Sequence, residues 1–276
     1  MKISKLKIGF WQALLASFLT LFVWISADAA IYFYENVPIA PKHRHVTPKK
    51  SLYSQHNVNS KHRYLPKIDS MPQKAIVGNA KVVALTFDDG PSKLYTEQVL
   101  KILSDNNVKA TFFVIGGSVK RYPEIFKKVF AAGHVIGNHS YTHPNFSKLN
   151  QNAIEKELSK TNSIIYANAH VYPIFFRPPF GATSALSRSV VENLGYKSVT
   201  WDYLVNDYDV SKTSPDIIAN SIIKHASPGA VMVMHDGGGN RSKTVAALPK
   251  IISELKKQGY QFVTVAEIFG IEPYRR

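Results

Sequence analysis

From Lys74 to the C-terminus, seven short apolar runs alternate with six longer amphipathic stretches, and that alternation leaves few folds open. The runs are Val82 to Phe87, Ala110 to Ile115, His134 to Gly137, Ile174 to Arg177, Tyr196 to Thr200, Ala230 to Met234 and Gln261 to Val265. Between them the apolar spacing turns helical, over Tyr95 to Asp105, Pro123 to Ala132, Gln151 to Ala167, Ser184 to Leu194, Pro215 to Ala226 and Thr244 to Lys257. Gly133, Gly195 and Gly259 stand where helix C-caps belong. Repeated strand, helix, strand units predict a parallel sheet covered by helices, either open or closed into a barrel. No G-x-G-x-x-G follows the first run and no G-x-x-x-x-G-K-[ST] occurs, which argues against dinucleotide and phosphate-loop sites.

The first 74 residues are of another kind. Lys2, Lys5 and Lys7 precede an apolar run from Ile8 to Ile25, and Ala27-Asp28-Ala29 resembles a leader cleavage site. Residues 1–30 are therefore expected to be a signal peptide or an uncleaved membrane anchor, with the rest of the chain outside the cytoplasm. Residues 31–74 are rich in Pro, Lys, His and Ser, show no period, and read as a solvated linker. His43, His45, His56 and His62 lie here, in a basic spacer or a metal-binding tract. Of the chain's net charge of +15, these 74 residues hold +8, from nine Lys and two Arg against three acids. Such a spacer suits anionic cell-wall polymers or a membrane surface. No basic run with interleaved aromatics appears after residue 74, so nucleic acid is not the expected partner.

The chain has no Cys, which excludes disulfides, Cys-ligated metal and a thiol nucleophile. Reactive groups must then come from His, Asp, Glu, Ser or water. They gather in one kind of place, the C-terminal ends of the predicted strands: Asp88-Asp89-Gly90, His139 to His143, Arg177, Trp201 to Tyr208, and His235-Asp236. Side chains from several strands converge there on loops free of packing duty. Two imidazoles and one carboxylate suit a borderline divalent ion such as Zn²⁺, with positions left for water and substrate. A second carboxylate next in sequence points elsewhere, so one Asp can ligate while its neighbour accepts the proton of water.

Thr86-Phe-Asp-Asp-Gly90, His139-Ser-Tyr-Thr-His143 and Arg177-Pro-Pro-Phe-Gly181, in that order, resemble the first three motifs of the polysaccharide deacetylases, the NodB-type domains of carbohydrate esterase family 4. The resemblance covers residues 75–270, leaving 271–276 as a tail, and implies a distorted (β/α)7 barrel that removes acetyl groups from polysaccharides with a divalent metal, Zn²⁺ or else Co²⁺. By motif match, Asp88 is the general base, Asp89, His139 and His143 are the metal ligands, and Arg177 orients Asp88. The resemblance further implies that the Phe180 N–H faces the oxyanion, and Val233-Met-His235 resembles the fifth motif, which would make His235 the general acid.

Two motifs depart from the family pattern. Where the family has Asp-x-x-Asp-Trp, this chain has Leu204-Val-Asn-Asp207-Tyr208, and Val233 replaces a Leu. Asp207 is then expected to tether His235, with Asp202 as the other candidate, while Trp201, Tyr208 and Val233 shape the substrate pocket. Peptidoglycan N-acetylglucosamine is the expected substrate on grounds of export. Chitin-type oligomers and O-acetylated xylan are the alternatives within the family. A silent wall-binding module, a glycosidase using Asp88 with Asp89, and a two-His-one-carboxylate iron oxygenase are the competitors outside it.

Overall fold

The computed structural model describes Lys74 and residues 80–275. The expected leader or anchor of residues 1–30, the linker up to residue 73, and Arg276 lie outside the described residues. The strands are β1 (Val82–Asp88), β2 (Thr111–Val114), β3 (Val135–Asn138), β4 (Tyr172–Pro173), β5 (Phe175–Phe176), β6 (Lys197–Ser198), β7 (Tyr203–Leu204), β8 (Ala230–His235), β9 (Gln261–Phe262) and β10 (Tyr274–Arg275). The helices are α1 (Thr96–Asp105), α2 (Gly116–Arg121), α3 (Pro123–Ala131), α4 (Gln151–Ala169), α5 (Ala185–Asn193), α6 (Pro215–His225), α7 (Ser242–Lys257) and α8 (Val265–Phe269).

The main sheet is parallel, ordered β6-β5-β3-β2-β1-β8-β7, and curls into a half-barrel. β9 joins β1 at Val82 and Val83, below the point where β2 pairs with Thr86 to Asp88. Each of the seven apolar runs supplies a strand. β7 makes an eighth in the sheet, and β4 pairs antiparallel with β10 in a ladder of its own. The last run stops short of the expected Val265, because Thr264 caps α8: its hydroxyl accepts from the Glu267 N–H, and the Glu267 carboxylate accepts from the Thr264 N–H at 2.7 Å.

β1 shows how the sheet places chemistry. Val83, Leu85 and Phe87 face a core built with Val99 and Leu103 of α1 and with Leu248, Ile251 and Ile252 of α7. Phe87 stacks on Phe112 with centroids 5.1 Å apart. Burying side chains of this size contributes roughly 1.5–3 kcal/mol each, which fixes the register of the strand. The opposite face therefore points inward, and along it Ala84 gives way to Thr86 and then Asp88. Ala84 packs with Phe113, Phe175, Val199 and Val231 in an inner core, so polar groups appear on this face only toward the strand's C-terminal end.

Candidate active site

The C-terminal strand ends meet at Asp88. In register it faces His235 across the β1–β8 ladder, while the chain leaves β3 into His139 and β5 into Arg177. Arg177 is fully buried and spends its guanidinium on four acceptors: Asp88 Oδ1 at 2.8 Å, Thr86 Oγ1 at 2.7 Å, the Val199 carbonyl at 3.1 Å and the Thr200 carbonyl at 3.1 Å. The guanidinium also lies 4.0 Å from the centre of the Phe113 ring. Burial lowers the Arg177 pKa and Asp88 opposes that, so it remains a cation. With Oδ1 held by Arg177, Asp88 turns Oδ2 toward His139 Nε2, 3.9 Å away.

His139 is neutral and its tautomer is set. Its Nδ1 lies 2.7 Å from the Arg177 carbonyl, which can only accept, so Nδ1 carries the proton and Nε2 presents a lone pair. Burial is the largest influence on this ring and pushes its pKa down to about 3, with Asp89 acting in the opposite sense. Asp89 sits at a positive φ of 73° in the turn after β1, and its Oδ1 lies 3.5 Å from His139 Nε2 and 3.3 Å from His143 Nε2. The three ligand atoms lie within 4.8 Å of one another.

Asp89 Oδ1 is buried and has no hydrogen-bond partner, a costly state for a carboxylate oxygen unless a cation completes it. Ligands at about 2.1 Å around a tetrahedral ion stand about 3.4 Å apart, which is the spacing of Asp89 from both imidazoles. The residues therefore fit a divalent metal. Gly238 presses on the same carboxylate: at its φ of 70° an added Cβ would come 2.3 Å from Asp89 Oδ2.

His235 is held by a different carboxylate. Its Nδ1 lies 2.7 Å from Asp207 Oδ1, and its backbone N–H donates to Asp207 Oδ2 at 2.9 Å. Asp207 is fully buried, accepts further from Thr244 Oγ1 at 2.9 Å, and offers its carbonyl to Arg241 Nη1 at 2.9 Å. Burial would lower the His235 pKa, but the bond and charge of Asp207, with the charges of Asp88 and Asp89, outweigh it, and the pKa is raised. For Asp207, burial would raise the pKa, while His235 and Arg241 bring it below the usual carboxylate range. Asp202 takes no part here. Its Oδ2 accepts from the Val231 N–H at 2.8 Å and pairs with Lys74 Nζ at 2.8 Å.

The remaining expected residues divide. Phe180, at φ 58° and 63% exposed, sets its ring edge against His143 with centroids 4.5 Å apart. Tyr208 is 60% exposed, its ring 6.5 Å from that of His235. Trp201 lies 5.8 Å from the Arg177 guanidinium. Val233 differs from the pocket-wall residue expected. It is fully buried between its ladder partners Thr86 and Leu204, because β8 is an interior strand, and it underlies the site rather than opening onto it.

Three groups at the site were given no role by the sequence, although Thr86 opens the first motif and Asp236 follows His235. Thr86 relays Arg177 to the Met232 carbonyl at 2.9 Å. Arg241 ties the Gly237 and Gly238 carbonyls to the Asp207 carbonyl. Asp236, beneath the Asp88–Gly90 turn, is buried with its pKa pushed up to about 7, chiefly by burial, and accepts from Thr96 Oγ1 at 2.6 Å. Its position beside His235 was the one available signal.

The sequence signature of the polysaccharide deacetylases matches residues 76–199. A peptidoglycan-N-acetylglucosamine deacetylase of Bacillus cereus is 39% identical over 193 residues, which span 70% of this chain and 90% of that protein. The chain belongs to the polysaccharide deacetylase family. A chitooligosaccharide deacetylase of Rhizobium leguminosarum bv. trifolii is 34% identical over 206 residues, 70% of this chain and 94% of that protein. Among solved deacetylases, a peptidoglycan N-acetylglucosamine deacetylase in complex with 4-naphthalen-1-yl-N-oxidanyl-benzamide superposes with a TM-score of 0.68 at 37% identity, covering 71% of this chain and 92% of that one. The deacetylase family is metal-dependent, in keeping with the donor set of Asp89, His139 and His143.

Proposed function

We propose that this deacetylase removes N-acetyl groups from the N-acetylglucosamine of peptidoglycan, releasing acetate and leaving a free amino sugar. The reading is carried by one observation: a carboxylate held by a buried Arg and an imidazole held by a buried Asp stand in register on adjacent strands, beside a three-donor metal set. Zn²⁺ is the ion that two imidazoles and one carboxylate suit best, with Co²⁺ as its substitute. Bound there, it would polarise the amide carbonyl and bring the pKa of water toward neutrality.

The protein's own groups do the rest. Asp88, oriented by Arg177, accepts the proton of the attacking water through the oxygen that Arg177 leaves open. The Phe180 N–H donates to the oxyanion. His235, kept protonated by Asp207, delivers its Nε2 proton to the departing nitrogen, since Nδ1 is engaged. Tyr208, Phe180 and Trp201 present aromatic surface for the sugar. Neighbouring Asp88 and Asp89 are ill placed to flank a glycosidic bond, and an iron oxygenase would leave Asp88, Arg177 and His235 idle.

The purified protein, incubated with peptidoglycan, chitin oligomers and acetylated xylan, is expected to release acetate fastest from peptidoglycan, without new reducing ends. Chelation should abolish release, and Zn²⁺ or Co²⁺ should restore it. No acetate from any polymer with metal bound would leave a wall-binding module instead.

We propose further that residues 1–30 carry the enzyme out of the cytoplasm and that the basic linker holds it against anionic wall polymers. N-terminal sequencing of the mature protein is expected to begin at Ala30 if the segment is cleaved, or at Met1 in the membrane fraction if it anchors. Activity confined to the cytosol would refute both.

A further inference from the structure

The loop that carries both imidazoles, residues 139–143, has a shape that its sequence does not favour. Ser140 at φ 69° and His143 at φ 60° both lie in the left-handed region, which costs an L-residue about 1–2 kcal/mol. The loop is held from two sides. On one side the Ser140 and Tyr141 carbonyls accept from the N–H groups of Gly116 and Gly117, at 2.9 and 3.0 Å, at the start of α2. That approach is close enough that a Cβ on Gly116 would meet Thr161 Oγ1 at 2.6 Å and Tyr141 Cδ2 at 2.8 Å.

On the other side stands Glu157 of α4. Its Oε2 accepts from both the Tyr141 and the Thr142 N–H, each at 2.8 Å, and its Oε1 accepts from the Thr142 hydroxyl at 2.8 Å. The flanking N–H groups of the loop are satisfied locally, Ser140 by Asn138 Oδ1 at 2.8 Å and His143 by Ser140 Oγ at 3.0 Å. Among the described residues, Glu157 is thus the side chain from a distant element that gathers the middle of the loop. A carboxylate accepting backbone N–H groups makes bonds roughly twice as strong as neutral ones.

The two imidazoles depend on this unequally. His139 is fixed at the end of β3 and by the Arg177 carbonyl, whereas the interactions of the His143 ring among the described residues are with Asp89 and the rings of His139 and Phe180. The position of His143 is inherited from the loop. We propose that Glu157 is a positioning residue for the metal centre: by clasping the Tyr141 and Thr142 N–H groups it sets the separation of His143 from His139 and Asp89, and so the affinity of the set for a divalent cation. The proposal rests on the reading of Asp89, His139 and His143 as ligands. Groups that orient metal ligands from behind typically govern affinity by 10–100-fold.

The test is to strip the full-length protein of metal and titrate it with Co²⁺, following the visible absorption of the bound ion and competing with a chromophoric chelator. Glu157→Ala is expected to weaken Co²⁺ binding by about 10–100-fold and to alter the spectrum. Glu157→Asp, its carboxylate drawn back by one methylene, should behave similarly. Glu157→Gln should recover most of the affinity, because its amide oxygen can take both N–H groups while its amino group donates to the Thr142 hydroxyl. Melting the metal-free variants separates positioning from folding: the expected order of affinities holds even between variants of equal melting temperature. Wild-type affinity and spectrum in folded Glu157→Ala or Glu157→Asp would overturn the proposal. A wild-type protein that binds no Co²⁺ would instead overturn the ligand assignment beneath it.

Discussion

Asp88→Asn is expected to keep its metal and lose about 10²–10⁴-fold in kcat, whereas Asp89→Asn should weaken binding of the metal itself. The two aspartates are neighbours in sequence, yet the strand separates their duties. Asp88 is the last inward position of β1, where Arg177 occupies Oδ1 and Oδ2 is turned toward His139. An Asn there can still accept from Arg177, so the guanidinium keeps a partner and the donor set is undisturbed, but the amide takes no proton from water. Asp89 follows at φ 73°, which rotates its side chain out of the strand's alternation and onto the imidazoles. Replacing that carboxylate with an amide removes the only negative charge among the three donors and leaves a neutral carbonyl oxygen, a weaker ligand. Metal content by atomic absorption, measured beside kcat, reads both effects. His139→Ala and His143→Ala should fall with Asp89→Asn. Equal metal loss in Asp88→Asn and Asp89→Asn would show the pair to be wrongly divided.

The second large effect concerns the proton that leaves with the amine. His235→Ala is expected to cost about 10²–10⁴-fold in kcat with metal content unchanged. Asp207→Asn should cost less but move the pH profile. In the folded protein burial disfavours the imidazolium at His235, while the bond and charge of Asp207, joined by the charges of Asp88 and Asp89, favour it more, so the pKa is raised. A raised pKa keeps the acid form present to higher pH, which sets the basic limb of kcat/KM. With Asn at position 207 the bond partner is neutral and the first influence set against burial is lost, so the basic limb should shift to lower pH. A limb left in place by Asp207→Asn, or moved instead by Asp202→Asn, would refute the tether. The same bond has a stability sign. The Asp207 pKa is lowered on folding, so its contribution is present above the unfolded carboxylate range and is lost as acid protonates it.

How much of this was legible depends on what each residue does. β1 and β8 announced themselves because both faces of an interior parallel strand are buried, giving runs such as Val82 to Phe87 and Ala230 to Met234. β4, β7 and β10 are two residues long, and Tyr203-Leu204 lies in a polar stretch, so pairing rather than composition makes them strands. α2 begins at Gly116-Gly117, the opposite of a helix-start signal, and exists because those glycines let its N–H groups reach the His139 loop. At the site, the residues that stand at strand ends could be read in sequence order. Glu157 could not, since it lies mid-helix, where a Glu reads as solvated surface. Arg241 was hidden likewise by a Gly-rich loop, although it joins both halves of the site.

The strand order carries one more consequence. β1 and β8 lie side by side within the sheet, while β7, which leads into the Asp207 loop, is a two-residue strand at its end. Opening in proteins is graded, with end elements released before interior ones. Asp88, Asp89 and His235 therefore belong to the last unit to come apart, and the partner of His235 hangs from one of the first. Fraying at that end is therefore expected to part the carboxylate from the imidazole before the donor set is disturbed, so that kcat falls on warming ahead of global unfolding and returns on cooling.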